Sequence, residues 1–219
     1  MRRALPWLVL VASAVAIGAA LELLPRPLLF AAKPLATIGI AVFAWSRGHD
    51  TPAMRKLVLA GLGLSLLGDI ALLWPKEGFL PGLVAFLLAH LCYIAAFCRP
   101  LRFAARRGVF AVYGVVALGI LAWLWPGVAS GLRVPVIAYV ACLASMAAQS
   151  AGWWLAARGT PAAPLARRAA IGGALFMASD ALLAVNKFAL PLPAASLWIL
   201  ATYWAAQWAI ATSLAPRRG

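Results

Sequence analysis

Charge is what this 219-residue chain has least of: Asp, Glu, Lys and Arg make up 11% of it, where a soluble domain runs at about one-quarter. Acidic residues are scarcer still, five against nineteen Lys and Arg, and the net charge is +14. In a soluble protein that balance would point to nucleic acid. With 65% apolar side chains and a mean hydropathy of +0.95, almost no polar surface is left to build a basic groove, so a nucleic-acid partner is excluded. The three cysteines, Cys92, Cys98 and Cys142, fall inside apolar segments, with no Cys-x-x-Cys and no clustered His. That excludes a disulfide framework and a zinc site and leaves packing thiols. A phosphate-binding Gly loop is missing too, so no cofactor and no metal are called for.

What remains is an integral membrane protein. Eight hydrophobic segments of roughly 20 residues, each long enough for a ~30 Å hydrocarbon layer, can be cut at Pro, Gly and charge punctuation. They run Leu5 to Leu24, Pro27 to Ser46, Arg55 to Trp74, Phe79 to Cys98, Arg107 to Trp125, Arg133 to Ala157, Ala166 to Lys187 and Ala194 to Ala215. The ten-residue alternation of a membrane β-barrel is absent, so the expected fold is all-α, a bundle of eight transmembrane helices forming one domain over 1–219. Connections are too short for a soluble catalytic domain, and any chemistry must come from side chains on the helices.

The first segment, with Arg2 and Arg3 before its apolar run, has the look of a signal peptide. A retained helix is preferred because the charges then sort by side. With a cytoplasmic N-terminus, fourteen of the nineteen cations fall inside, in clusters at Arg2–Arg3, Arg47–Lys56, Arg99–Arg107, Arg158–Arg168 and Arg217–Arg218. Arg26, Lys76, Arg133 and Lys187 fall outside, and Lys33 alone lies within a span. The positive-inside rule then sets both termini in the cytoplasm and requires an even number of spans, as in a multi-pass protein of a bacterial cytoplasmic membrane.

Topology gives depth. Asp69 lies five residues before Trp74 and Asp180 seven before Lys187, both at outer helix ends, which puts the two carboxyls roughly 7 to 10 Å below the surface. Lys33 and Tyr139 share that layer; His90 and Tyr203 lie deeper. Only these two of the five acidic residues are inside spans, where an ionisable group costs about 2.5 to 3.5 kcal/mol and marks a pathway, a partner or a reaction. Each polar residue also has a plainer reading. Lys33 can snorkel outward or join the aspartates in an interhelical pin. His90, on the stripe Gly82, Phe86, His90, Tyr93 and Phe97, can be a hydrogen-bonded packing residue, and Tyr203 and Gln207, four apart, can bond across helices. Glu22 and Glu77 sit at solvated helix ends, and tryptophans near span ends form the aromatic belt.

The settings of the two aspartates are related. Residues 61–72 can be laid on residues 172–183, a shift of 111, matching Gly, Leu, Asp and Leu, with small Gly68 and Ser179 before each aspartate. Helices three and seven also run the same way, which suggests a four-plus-four arrangement of parallel halves with one aspartate from each.

Lys33-Pro34, Gly68-Asp69-x-x-Leu72, Gly82-Leu83-x-x-Phe86-x-x-Ala89-His90-x-x-Tyr93, Gly173 to Phe188 around Ser179-Asp180 and Asn186-Lys187, and Ala206-Gln207 together resemble the YhhN-type lysoplasmalogenases. The resemblance covers nearly the whole chain in order. It implies an eight-helix hydrolase that cleaves the vinyl ether bond of lysoplasmalogen, or of a related lysophospholipid drawn from the bilayer, to a fatty aldehyde and a glycerophospho-base.

Vinyl ether chemistry suits the residues. Protonation of the β carbon gives an oxocarbenium ion, water captures it as a hemiacetal, and the hemiacetal collapses to aldehyde and alcohol. An acid and an anion are needed, and two carboxyls in a low-dielectric site cannot both ionise cheaply. Asp69 and Asp180 are therefore the candidate catalytic pair, with the choice of acid open between them. Lys33 favours the ionised carboxylate or holds phosphate, and His90, Tyr93, Tyr139, Ser179, Asn186, Tyr203 and Gln207 are candidates to bind substrate or support the pair. A proton-coupled transporter or channel for a small or lipidic solute is the alternative, since membrane aspartates and a repeat suit it equally.

Overall fold

The computed structural model describes residues 4–216; Arg2, Arg3, Arg217 and Arg218 lie outside them. Eight α-helices are described: α1 (Leu5–Ala20), α2 (Pro27–Trp45), α3 (Pro52–Ala71), α4 (Phe79–Phe97), α5 (Arg107–Leu124), α6 (Arg133–Ala157), α7 (Ala163–Phe188) and α8 (Ala195–Thr212). Two short 3₁₀ turns join α5 to α6, and no strand occurs among the described residues. Helix is the outcome dictated by apolar runs that leave no water to satisfy the backbone. Proline in the first turn of α1, α2, α3 and α7 marks where four of them begin, since its missing N–H is one the first turn leaves unpaired anyway.

Five segments are long and apolar enough to cross a membrane: those carrying α2, α4, α5, α6 and α7. Helix α1 is apolar but has 16 residues. Helix α3 carries Arg55, Lys56 and Asp69, and α8 is diluted by three Trp, Tyr203 and Gln207. Of the eight nearly equal spans expected from the sequence, α1, α3 and α8 thus fall short in length or apolar character. Boundaries shift by a few residues: α7 begins at Ala163 rather than Ala166, α3 at Pro52 rather than Arg55, and α1 stops at Ala20 because the chain turns through Leu21 to Leu24. The outer faces are apolar, with Val115 71% and Leu118 65% exposed on α5, as a multi-pass membrane protein requires.

Packing follows the chain as a ring. Helix α2 packs on α3, α3 on α4, α4 on α6, α6 on α7 and α7 on α8, and α8 returns to α2. Helix α1 lies against α2 and α8, and α5 stands at the edge against α6. Small residues allow the close approaches. A Cβ at Gly68 would sit 2.6 Å from the Phe86 ring, and one at Gly61 would overlap the Tyr93 ring, so α3 and α4 meet closely enough to carry an aromatic side chain against bare backbone.

At one end of the bundle the last turn of α8 is clamped. Arg47 donates from Nε to the Leu214 carbonyl (2.9 Å), and Arg168 from Nη1 to the Thr212 carbonyl (3.2 Å). Cations at the carbonyl end of a helix are favourable on dipole grounds. Burial first, and Arg168 second, press the Arg47 guanidinium below its ordinary range. At the other end Phe79 and Phe188 meet edge to face, 6.0 Å between centroids, with the Lys187 ammonium 4.0 Å above the Phe79 ring.

Candidate active site

Asp69 and Asp180 occupy the same place on their helices, each the eighteenth residue from the start of α3 or α7. Both line one cavity of about 410 Å³, together with Lys33, Tyr139, Ser179, Asn186, Lys187 and Tyr203. The rest of the lining is mainly aliphatic and aromatic. A cavity with a few convergent polar groups in an apolar wall is the form a binding site takes.

Asp69 is 1% exposed and held from three sides. Thr37 Oγ1 donates to its Oδ2 at 2.6 Å and the Tyr203 hydroxyl to the same oxygen at 2.7 Å, while Lys33 Nζ lies 3.7 Å from Oδ1. Lys33 is itself 6% exposed, so it pairs inward and does not snorkel. The sequence reading missed Thr37, although its spacing of four from Lys33 puts both on one face of α2. It missed Trp204 as well, whose Nε1–H donates to Thr37 Oγ1 at 3.2 Å and ties α8 to α2.

Asp180 is differently placed. The Tyr139 hydroxyl donates to its Oδ2, and His90 Nε2 stands 3.1 Å from that hydroxyl and 3.8 Å from the carboxylate oxygen. Its side chain is 14% exposed against 2% for Asp69, so it opens further into the cavity. His90 is fully buried, and its Nδ1 has no hydrogen-bond partner among the described residues.

The two clusters have the same helix addresses. Asp69 takes Lys33 from α2 and Tyr203 from α8; Asp180 takes Tyr139 from α6 and His90 from α4. Advancing four helices turns α2 into α6 and α3 into α7, and carries α8 round to α4. Lys33 and Tyr139 are each the seventh residue of their helix. Between the clusters lies an aromatic partition: Phe176 packs edge-on against His90 at 4.6 Å and against Tyr203 at 5.5 Å, and Phe86 contacts Phe176 and Tyr203.

The remaining candidates are brought near the site without all reaching the cavity. Tyr93 donates to Gln207 Oε1 at 2.7 Å, and Gln207 Nε2 donates to the Tyr203 hydroxyl at 3.3 Å. Those two residues and His90 stand behind the lining, as a fully buried second row. Ser179 lines the cavity while its hydroxyl donates to the Ile199 carbonyl at 2.9 Å, and Asn186 Oδ1 accepts from the Leu192 N–H at 2.9 Å, fixing the α7–α8 turn. Lys187 is exposed at the mouth, with its ammonium over an aromatic face. No group of three or more His, Cys, Asp or Glu able to hold a metal occurs among the described residues.

Fold and site together define a polytopic membrane protein with a carboxyl-bearing cavity buried between its helices. Its family follows from comparison. The YhhN family model matches residues 28–214, and the chain belongs to the YhhN family. It is 33% identical over 183 residues to a Mycobacterium bovis protein named lysoplasmalogenase, a match covering 78% of this chain and 65% of that protein. It is 35% identical over 188 residues to human lysoplasmalogenase TMEM86B, covering 83% and 73%. A third relative, bovine lysoplasmalogenase TMEM86A, is 33% identical over 168 residues, covering 74% and 66%. The matched region is thus a little under two thirds of the mycobacterial protein's length. No solved structure matches.

Proposed function

We propose that this protein is a membrane-embedded hydrolase that cleaves the vinyl ether bond of lysoplasmalogen or a closely related lysolipid, using its two aspartates as a pair. The observation that carries the reading is that both carboxyls line one cavity with different partners. Names of relatives in bacteria and mammals support the substrate class.

Asp69 is the standing anion. Lys33, Thr37 and Tyr203 surround it with a cation and two hydroxyl donors, and a fixed negative charge beside the reacting carbons stabilises an oxocarbenium ion. Asp180, the more open carboxyl, is the acid. It gives its proton to the vinyl β carbon, and the oxocarbenium ion is captured by water. The proton that water loses returns to Asp180, and the hemiacetal collapses to aldehyde and glycerophospho-base. Tyr139, from the cavity wall, and His90, from behind it, orient Asp180. Lys187 at the mouth is the cation suited to the lipid phosphate, since Lys33 is engaged by Asp69.

The same reading takes all eight helices as spans of one domain, with both termini cytoplasmic, and takes the matching helix addresses as the trace of a four-plus-four duplication. Purified protein in detergent, given lysoplasmalogen, should release free aldehyde. Aldehyde release that fails in detergent, with solute movement only across sealed vesicles, would make the protein a transporter.

A further inference from the structure

The 410 Å³ cavity lies near the lower end of the ~300–1,000 Å³ range that drug-sized ligands occupy. A lysolipid carries a long hydrocarbon chain besides its glycerol and phosphate, so the chain must leave the chamber. The wall between α5 and α6 supplies an exit. Ala117 and Leu121 on α5 and Val140 and Ala144 on α6 line the inner cavity, and the same four residues line a second groove of about 270 Å³ on the other side of that seam. Ala117 and Ala144 are both buried there, so the partition between the two spaces is two methyl groups and two aliphatic side chains deep. The groove continues past Gly114 to Phe110 and Ser145. From Ala117 to Phe110 is seven residues of helix, ~10 Å along the bundle, running from the aspartate level toward the Arg107 end of α5.

Helix α5 is built to yield at this point. Of its eighteen residues only Ala117 and Leu124 are buried. It packs on α6 and touches α7, without packing on α4, the helix before it in the chain. A Cβ placed at Gly114 would meet nothing within 4 Å. The one polar side chain in its lining, Ser145, donates its hydroxyl to the Ala141 carbonyl of its own helix, so the groove offers no charge to a headgroup and fits a hydrocarbon chain.

We infer that the α5–α6 seam is the hydrocarbon-chain subsite: the vinyl ether sits at the aspartates and the chain passes between Ala117 and Ala144 into the groove beside Gly114, so that this seam sets chain-length selectivity. The inference rests on the lysolipid-hydrolase reading above and deepens it. The orientation fits a lipid of the leaflet in which the aspartates lie, with its headgroup at Lys187 and its chain pointing toward the bilayer centre.

The test uses two substitutions that enter open space. Gly114→Phe fills the groove; Gly119→Phe, also with nothing within 4 Å of its Cβ, lies on the exposed face of the same helix and lines neither space. The readout is the ratio of kcat/KM for a vinyl-ether lysolipid with an eighteen-carbon chain to that for one with about eight carbons. Gly114→Phe should lower the ratio by about tenfold or more, equivalent to taking about two methylenes out of apolar contact. Gly119→Phe should leave it unchanged. An unchanged ratio in Gly114→Phe, or an equal change in both variants, overturns the subsite.

A second measurement needs no turnover. A lysophosphatidylcholine bearing a diazirine at its terminal carbon, irradiated with the Asp180→Asn protein, should label residues 110–118 or 137–145. Gly114→Phe should remove that label while Gly119→Phe retains it. Label that survives both substitutions is bilayer-facing contact and sinks the subsite. Specific label with a wild-type protein that releases no aldehyde from any vinyl ether keeps the subsite and removes the reaction.

Discussion

Asp69 and Asp180 sit at matching positions on α3 and α7, yet their surroundings differ. One carboxyl is sealed among a lysine, a threonine and a tyrosine, with 2% of its side chain exposed; the other meets a tyrosine and a histidine and keeps 14%. The difference teaches that position along a helix fixes only where a carboxyl is, while the neighbouring helices decide what it pairs with. Lys33 makes Asp69 one half of a buried ion pair, which would be costly to break. Tyr139 in the corresponding place gives Asp180 a hydrogen bond in place of a lysine, with His90 Nε2 3.8 Å from the same carboxylate oxygen.

The largest expected effect is loss of activity on removing either carboxyl. Asp180→Asn and Asp69→Asn should each cut aldehyde release by ~10² to 10⁴, the usual weight of a group acting in proton transfer or charge stabilisation, and the double variant should be little worse than either. Thermal melting separates them. Asp180→Asn should melt near wild type, whereas Asp69→Asn leaves the Lys33 ammonium buried without its anion and should lose ~3 to 5 kcal/mol. Equal melting of the two would erase the distinction between the clusters.

Next in size is a rescue. Adding Lys33→Met to Asp69→Asn removes the orphaned charge, so the double variant should regain most of the lost melting temperature and none of the activity. Recovery of activity in that variant would show that Asp69 matters only as a counter-ion. Smaller again is the contrast between tyrosines. Tyr139→Phe takes away the hydrogen bond to Asp180 and should slow turnover about 10- to 100-fold, since that bond strengthens as Asp180 becomes a carboxylate on giving up its proton, and a bond to a charged group is worth ~1.5 to 3 kcal/mol. Tyr203→Phe should cost less than about tenfold, because Thr37 and Lys33 still hold Asp69. The reverse order would exchange the assigned roles. The smallest effect, and a control outside both clusters, is Arg47→Ala. It should cost ~0.3 to 1 kcal/mol of stability through the α8 carbonyls and leave kcat/KM unchanged.

Much of this arrangement is legible in the residues. Asp69, Asp180 and Lys33 stand out because charge inside an apolar span is rare, and the shift of 111 relating residues 61–72 to 172–183 agrees with the common place of the aspartates, eighteenth on α3 and on α7. The stripe from Gly82 to Phe97 is buried as its spacing implies. Pairing is less legible. Whether Lys33 belongs to Asp69 or to Asp180 depends on which helices are neighbours, and apolar helices of equal length carry no pattern that fixes their order around a ring. Thr37 escaped notice because a threonine in a membrane helix ordinarily bonds its own backbone, and only the approach of Asp69 and Trp204 gives it another use. The cavity and its seam are invisible for a plainer reason: they consist of what Ala117, Ala144 and Gly114 lack.

The long reach of the Asp69 cluster bears on biosynthesis. Lys33, Thr37 and Asp69 are made early, but Tyr203 follows Asp69 by 134 residues and Trp204 follows Thr37 by 167. Until α8 packs against α2, Asp69 lacks its tyrosine, Thr37 lacks the indole that orients it, and the ring of helices is open between α7 and α2. The pocket is therefore completed only when α8 packs, so under the proposed function a nascent chain stalled before α8 carries both aspartates without an assembled site for lipid.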